Sequence, residues 1–441
     1  MQLAQNKSWL ARIAACLLLF AIPLVQAQGQ ELRRRAAFGA GFMPKDSHLV
    51  IASVSPGGAA EAAGILPGDI LLRVGDTAIA DAAQLSQVLR AYRAGDRATI
   101  VIERGGKVLE KAAEFKPRPL ETSPDFDVLY NVVPVEGAPY RAIVTKPKGA
   151  GPFPALLLIG GLGCYSLDNL PPDSPYRRIL YALTQKGFVT MRVEKSGEGD
   201  SEGPACKSPE ADLQLAVKRS VAGLRALKSY GFVKPDQVFI FAHSIGPIEA
   251  ALVVNQVPVS GVIAAETIGR DWFSYNLEIA RAQPLLLGES YDKVEAGVRA
   301  RQLCNVRFYL QKQTPEMLAR EAPDCLKQLP LADISYKYMQ QVADVNLAQE
   351  WKAPDIPVLV IYGTSDPTTD EEESRYLVNL INSYHPGRAT FTRIDGMNHL
   401  FDREPSNKDG LLVLTHKKEP GEFEAAILTP IESWLDQMTR H

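Results

Sequence analysis

Ser244 sits in the run Phe241-Ala242-His243-Ser244-Ile245-Gly246, which joins the apolar stretch Val238–Phe241 to a segment rich in Ala, Leu and Val. A strand, a sharp turn carrying serine and then a helix form a nucleophile elbow. The turn needs small neighbours because its backbone is strained, and the helix N-terminus favours negative charge developing at the serine. Two further groups follow along the chain. Asp366 ends Gly363-Thr364-Ser365-Asp366 after the apolar run Val358–Tyr362, and His399 ends Gly396-Met397-Asn398-His399 after the strand-like run Thr390–Ile394. An imidazole that takes the serine proton, with a carboxylate that holds its tautomer and stabilises its charged form, would make Ser244 a nucleophile for acyl transfer. His48, His243, His385, His416 and His441 have no comparable context, and His243, beside the serine, is expected to pack or to support.

These side chains need a frame that brings them together. The runs Pro154–Ile159, Phe188–Val193, Val238–Phe241, Val262–Ala265 and Val358–Tyr362 lack two-residue alternation, as expected of strands buried on both faces of a parallel sheet. Helical stretches such as Pro209–Tyr230 separate them, and the βαβα order predicts a doubly wound, mostly parallel α/β sheet. About 90 residues lie between the strands ending near Ala265 and beginning near Ile356, too many for a structureless loop, so a helical cap is expected at about residues 266–352. Ahead of this domain, placed at residues 125–441, Lys116-Pro117-Arg118-Pro119 marks a linker over 116–124. Residues 38–115 alternate short β-like runs with glycine turns and one amphipathic helix, Ala82–Tyr92.

That first segment carries Gly39-Ala40-Gly41-Phe42, Val54-Ser55-Pro56-Gly57-Gly58-Ala59-Ala60 and Ala63-Gly64-Ile65-Leu66-Pro67-Gly68-Asp69-Ile70-Leu71, and it resembles a small α+β PDZ domain of the bacterial type. The resemblance implies capture of an extended peptide as an added strand, its terminal carboxylate held by amides of Gly39, Ala40, Gly41 and Phe42. The larger segment resembles α/β-hydrolases of the serine-esterase and serine-peptidase type. The order Ser244, Asp366, His399 is that family's, with Ala242 standing at the first glycine of its Gly-x-Ser-x-Gly pattern. Asp370, Asp395 and Asp402 are rivals for the acid, and Asp366 has the family's usual placement. The resemblance also implies oxyanion donors at the amide of Ile245 and at Leu162 or Gly163 of Gly160-Gly161-Leu162-Gly163-Cys164. Glu194-Lys195-Ser196-Gly197-Glu198-Gly199-Asp200-Ser201 occupies the place of the family's Asp-x-Arg-Gly-x-Gly-x-Ser turn, departs from it at Glu194 and Ser196, and is read as support for the oxyanion loop. Trp272, Phe273 and Tyr275 are aromatic candidates for the pocket, and Arg270 and Arg281 candidates for binding a substrate carboxylate.

Composition bounds these readings. With 48 basic against 51 acidic side chains and 46% hydrophobic residues, the 441-residue chain has neither the positive field of a nucleic-acid binder nor the composition of a disordered one. Lys7 and Arg12 precede the apolar run Ile13–Val25, and Val25-Gln26-Ala27 resembles a signal-peptidase site, so residues 1–27 are expected to be a cleaved secretory signal leading to the periplasm. The run is shorter than the roughly 20 residues a membrane span needs. Beyond Cys16, the four cysteines Cys164, Cys206, Cys304 and Cys325 permit three pairings. Strand exits that the resembled fold places side by side favour Cys164–Cys206 and, inside the cap, Cys304–Cys325. No CxxC or HxxxH spacing points to a metal, and no cofactor is expected. The expected activity is cleavage of a small-molecule ester through an acyl-enzyme, with a peptidase of the prolyl-oligopeptidase-like or aminopeptidase kind as the alternative. A third reading is a non-catalytic PDZ binding protein with a degenerate hydrolase body.

Overall fold

The computed structural model describes residues 32–45, 48–329 and 334–440, and the expected signal segment 1–27 lies outside them. An antiparallel sheet comes first, built in spatial order from β1 (Ala40–Lys45), β2 (His48–Val54), β3 (Ile70–Val74), β4 (Arg97–Arg104) and β5 (Lys107–Glu114). Leu49, Ile51, Leu71, Ile100 and Ile102 pack with Phe38 and Phe115 into its core. The helix α1 (Ala82–Leu89) begins where the Asp81 side chain accepts the Gln84 amide at 2.8 Å, and it ends three residues short of the expected Tyr92. This is a PDZ fold, with β1 at the sheet edge.

The second sheet has eight strands. β6 (Phe126–Val135) and β7 (Ala138–Pro147) form a long hairpin around Glu136 (φ 48°) and Gly137 (φ 86°), the paired positive φ angles that a two-residue turn matched to strand twist requires. They are followed by β8 (Phe153–Ile159), β9 (Val189–Val193), β10 (Val233–His243), β11 (Gly261–Ala265), β12 (Val358–Gly363) and β13 (Ala389–Ile394). Spatial order is β13-β12-β11-β10-β8-β9-β7-β6, and every pairing from β9 to β13 is parallel. β9, β11 and β12 are buried along their whole length, which is why their sequences show no alternation.

Successive residues of these strands feed two different cores. Leu157, Ile240, Val262 and Val360 face one side, against α3 (Leu213–Ser229) and α4 (Gly246–Val254). Leu156, Phe239, Ile263 and Leu359 face the other, against α2 (Pro175–Gln185) and the C-terminal helix Leu428–Thr439. The helix expected from Pro209 begins only at Leu213, because the Asp212 side chain caps it by accepting the Leu215 amide at 3.0 Å. Between β11 and β12 most of the described residues are helical, led by α5 (Trp272–Leu286) and α6 (Tyr291–Asn305). This is a doubly wound α/β-hydrolase fold. Both expected cysteine pairs, Cys164–Cys206 and Cys304–Cys325, are present as disulfides with Cα separations of 5.7 and 5.2 Å.

The run Arg33-Arg34-Arg35 reads in sequence as a solvated linker, and two of its members are not. Arg34 Nη1 pairs with Asp168 Oδ2 at 2.5 Å and Asp200 Oδ2 at 2.6 Å, both carboxylates being inaccessible to solvent. Arg35 donates to the Gly197, Gly199 and Ser201 carbonyls. Removing one partner of a buried ion pair leaves uncompensated charge and costs roughly 3–5 kcal/mol, whereas an exposed pair is worth less than about 1 kcal/mol. Arg34→Ala is therefore expected to lower the unfolding free energy in urea by about 3 kcal/mol or more, and Arg33→Ala, whose pair with Asp96 is exposed, by less than about 1 kcal/mol. Equal losses in the two variants would contradict this placement.

Candidate active site

The elements deliver the candidate residues to one edge. Ser244 follows β10, Asp366 lies three residues beyond β12, and His399 lies in the loop after β13, all at the C-terminal ends of parallel strands. Ser244 has φ 62°, so its side chain projects from a left-handed turn. The turn closes because Gly246 passes the end of β8: a Cβ there would stand 2.5 Å from the Ile159 carbonyl oxygen. Ala242, by contrast, is fully buried in the core, and its methyl group is accommodated there.

Asp366 Oδ2 accepts from His399 Nδ1 at 2.8 Å, and His399 Nε2 lies 2.9 Å from Ser244 Oγ. A carboxylate only accepts, so Nδ1 carries the proton, Nε2 offers its lone pair, and the Ser244 hydroxyl donates to it. Thr368 and Thr369, which sequence reasoning missed, fix the acid. Asp366 Oδ1 accepts from the Thr368 amide and hydroxyl, each at 2.6 Å, and Oδ2 accepts from the Thr369 hydroxyl at 2.7 Å. Burial alone would raise the Asp366 pKa, but His399 and these donors hold it well below the usual carboxylate range. The rival acids are placed elsewhere: Asp370 caps the helix Glu371–Tyr384, Asp395 pairs with Arg393, and Asp402 lies on the cavity wall.

His243 has a supporting geometry. Its Nε2 donates to the His399 carbonyl at 2.8 Å, which leaves Nδ1 to accept from the Tyr176 hydroxyl at 2.5 Å. That hydroxyl in turn accepts from the Gly161 amide at 2.9 Å. Lys195 Nζ donates to the carbonyls of Gly161 (2.6 Å) and Gly163 (2.7 Å) and lies 3.8 Å from the Tyr165 ring centroid. Because a trans peptide is planar, fastening the Gly161 carbonyl to Lys195 turns the Leu162 N–H the opposite way. Leu162 and Ile245 line the cavity beside Ser244, whereas Gly163 is outside the lining. Burial pushes Lys195 down to about 7 and Glu194 up to about 7, Glu194 accepting from Ser166 and from the Leu167 and Asp168 amides.

The cavity over Ser244 holds about 520 Å³. Trp272 and Tyr275 line it, with Ile248, Ile268, Leu400 and Phe401. The expectation for Arg270 is corrected: it is not in the lining, because its Nε pairs at 2.5 Å with Glu373, whose carboxylate also accepts the Gly269 and Arg270 amides. Arg281 is likewise held away, by Glu278 and Glu295, and Phe273 packs against the core rather than the cavity. Glu266, another residue that sequence reasoning missed, is fully buried beside Asp366 and reaches the cavity wall. Among the described residues two clusters have metal-ligand proximity, Cys164–Glu198–Cys206 and Glu266–Asp366–His399; the first has its sulfurs in a disulfide and the second has its His399 and Asp366 hydrogen-bonded to each other.

The family model described as serine aminopeptidase, S33, matches residues 174–406, more than half of the chain, and a PDZ domain model matches residues 36–114. The chain belongs to the serine aminopeptidase S33 family. Its sequence relatives include Esterase EstD of Thermotoga maritima, 22% identical over 314 residues; the match covers 69% of this chain and 66%, just under two thirds, of that relative. Solved structures similar to this member of the family include Est1E from Butyrivibrio proteoclasticus, at 14% identity over 71% of this chain and 99% of that one with a TM-score of 0.45. Another is the esterase Pf2001 of Pyrococcus furiosus, at 11% identity over 73% and 96% with a TM-score of 0.45.

The buried network sets a pH dependence. Burial pushes the His243 imidazole down to about 3, and His399 adds to the effect. The unfolded chain binds a proton there near 6.5 and the folded chain does not until about 3, so this contribution to stability is full above the upper value and is lost as pH falls. Glu194, held protonated up to about 7, acts in the opposite direction and cancels when two variants are compared. The stability difference between the unmodified chain and His243→Asn should shrink from about pH 7.5 to about pH 4.5 in urea titrations. A difference independent of pH contradicts a neutral His243.

Proposed function

We propose that this protein is an exported serine hydrolase that cleaves small carboxylic esters through an acyl-enzyme on Ser244. The observation that carries this reading is the unbroken hydrogen-bonded line Ser244–His399–Asp366 at the wall of a largely apolar cavity. His399 takes the Ser244 proton as Oγ attacks the ester carbonyl and gives it to the departing alcohol. The amides of Ile245 and Leu162 receive the oxyanion, and Leu162 is favoured over Gly163 because Lys195 holds the Gly161 carbonyl on the opposite side. Trp272 and Tyr275 shape the acyl or alcohol pocket.

The family description favours a second reading, an aminopeptidase, which needs an ionised carboxylate facing the substrate amine. Of the two carboxyl groups on the cavity wall, Glu266 is held protonated by burial, and Asp402, pushed up to about 6 and so ionised near neutral pH, is a lone acid in a lining that is otherwise largely apolar, as an ester pocket requires. Ester cleavage is therefore preferred. Ser244→Ala should abolish labelling by a fluorophosphonate probe and lower ester turnover by about 10⁴-fold or more without unfolding the chain. Short-chain p-nitrophenyl esters should be turned over and aminoacyl anilides should not; the reverse preference selects the aminopeptidase.

Export to the periplasm is supported by the charged and apolar pattern of residues 1–27 and by two disulfides, which persist in oxidising compartments. Recruitment of a peptide by the PDZ domain is supported by the edge position of β1, directly after the Gly39 turn at φ 74°. A peptide with a free C-terminal carboxylate should bind at least about tenfold more tightly than its amide in fluorescence anisotropy. Equal affinities argue against carboxylate capture at Gly39–Phe42.

A further inference from the structure

Glu266 directly follows β11, the strand flanked by β10, which ends just before Ser244, and β12, which ends three residues before Asp366. Its backbone holds φ 50°, a left-handed conformation that is costly outside glycine, and its side chain is fully buried. Taken as an ionised acceptor, neither of its carboxyl oxygens has a hydrogen-bond donor of good geometry among the described residues. One Glu266 oxygen, one Asp366 oxygen and a His399 ring nitrogen lie within 4.8 Å of one another.

A carboxylate buried with no donor of good geometry, the Gly363 amide being its one weak donor, and beside a second carboxylate is doubly unfavourable. A carboxylic acid in the same place is not, because its O–H has an acceptor in Asp366. The two groups divide the roles by environment. Asp366 collects the Thr368, Thr369 and His399 donors and stays ionised, whereas burial first and then the Asp366 charge drive Glu266 to its protonated form. Among the described residues, the phenols of Tyr275 and Tyr362 and the His243 imidazole also lie near this pair; burial and Asp366 push both phenols above their ordinary range, and burial pushes His243 down to about 3, so all three stay neutral.

We propose that Glu266 is a positioning residue of the Ser244–His399–Asp366 line. Its carboxylic O–H donates to Asp366 and braces that carboxylate against His399. When residue 366 carries no charge, Glu266 itself ionises and supplies the carboxylate that orients His399. The proposal rests on the reading of Ser244, His399 and Asp366 as the reacting groups. Through the ordinary cycle the Glu266 proton stays in place, and the proton in flight moves between Ser244, His399 and the leaving alcohol.

The test uses the full chain and p-nitrophenyl ester turnover across pH for Ser244→Ala, Asp366→Asn, Glu266→Gln, Glu266→Leu and the double variant Asp366→Asn/Glu266→Gln, with thermal melts to confirm folding. Asp366→Asn should retain at least about tenfold more kcat/KM than the double variant at and above neutral pH. Its profile should show a rise with Glu266 ionisation that the double variant lacks. Glu266→Leu should lower kcat more than it raises KM, and Glu266→Gln, which keeps a donor toward Asp366, should recover part of that loss. Matching rates and pH profiles for Asp366→Asn and the double variant overturn the proposal, as does an Asp366→Asn variant as inactive as Ser244→Ala. An active Ser244→Ala removes the triad reading itself, whereas an inactive Ser244→Ala with indistinguishable residue-366 variants removes only the role of Glu266.

Discussion

A serine at φ 62° is held in place only if its neighbours leave it no alternative, because such a conformation costs about 1–3 kcal/mol outside glycine. The neighbours here are the sheet and one helix. The Ser244 amide donates to the Ala265 carbonyl at 2.9 Å, tying the turn to the end of β11, and Gly246 starts α4 against the end of β8. Once that turn is closed, much of the site follows. The residue before it, His243, is aimed at the His399 carbonyl and Tyr176, and the residue after Ala265 is Glu266, delivered beside Asp366. One strained turn is thus tied to the His399 backbone through His243, to the Gly160–Cys164 loop through Tyr176, and to Glu266 through Ala265.

Electrostatics in this site works by separating groups of similar intrinsic acidity. Asp366 and Glu266 differ little as free side chains, yet one is surrounded by donors and the other by none of good geometry, so one is held ionised and the other protonated. The loop Gly160–Cys164 shows the complementary case. Lys195 is buried and driven down to about 7, and it answers the loss of water with two carbonyl oxygens and an aromatic face. Its hydrogen bonds fasten the carbonyls of Gly161 and Gly163, and because the 161–162 peptide is planar the Leu162 N–H points away from Lys195.

Much of this could be read in sequence, and the exceptions share a cause. The parallel strands were legible because burial on both faces writes continuous apolar runs such as Leu156–Ile159; Ser244 and Asp366 were legible because each follows such a run within a few residues, and His399 because it follows the strand-like run Thr390–Ile394. The β6–β7 hairpin was not, since β6 is mostly half-buried and its residues carry no clean alternation. Arg34 resembled a hydrated charge because the carboxylates that bury it, Asp168 and Asp200, lie 134 and 166 positions away. Glu266 is 100 residues from Asp366 in sequence, and nothing local distinguishes it from a surface glutamate. Long-range partners, rather than local propensities, carry the missing information.

The same long-range contacts bind the N-terminal arm to the chemistry. Arg34 pairs with Asp168, whose amide is accepted by Glu194, the residue directly before Lys195. Arg35 holds the Gly197–Ser201 carbonyls, and the Arg90 side chain, just past the end of α1, pairs with Glu198 at 2.9 Å. Cys206, a few residues on, closes the disulfide to Cys164 in the loop after β8. A chain of ion pairs and hydrogen bonds on buried carboxylates, with one covalent bond, therefore runs from the arm to the loop beside Ser244, while the PDZ sheet itself packs around a core of its own. Such an arrangement places the energetic boundary of the hydrolase before Arg34 rather than at the linker near Lys116, because the arm completes the charge balance of Asp168 and Asp200 and the PDZ domain is inserted between that arm and the rest.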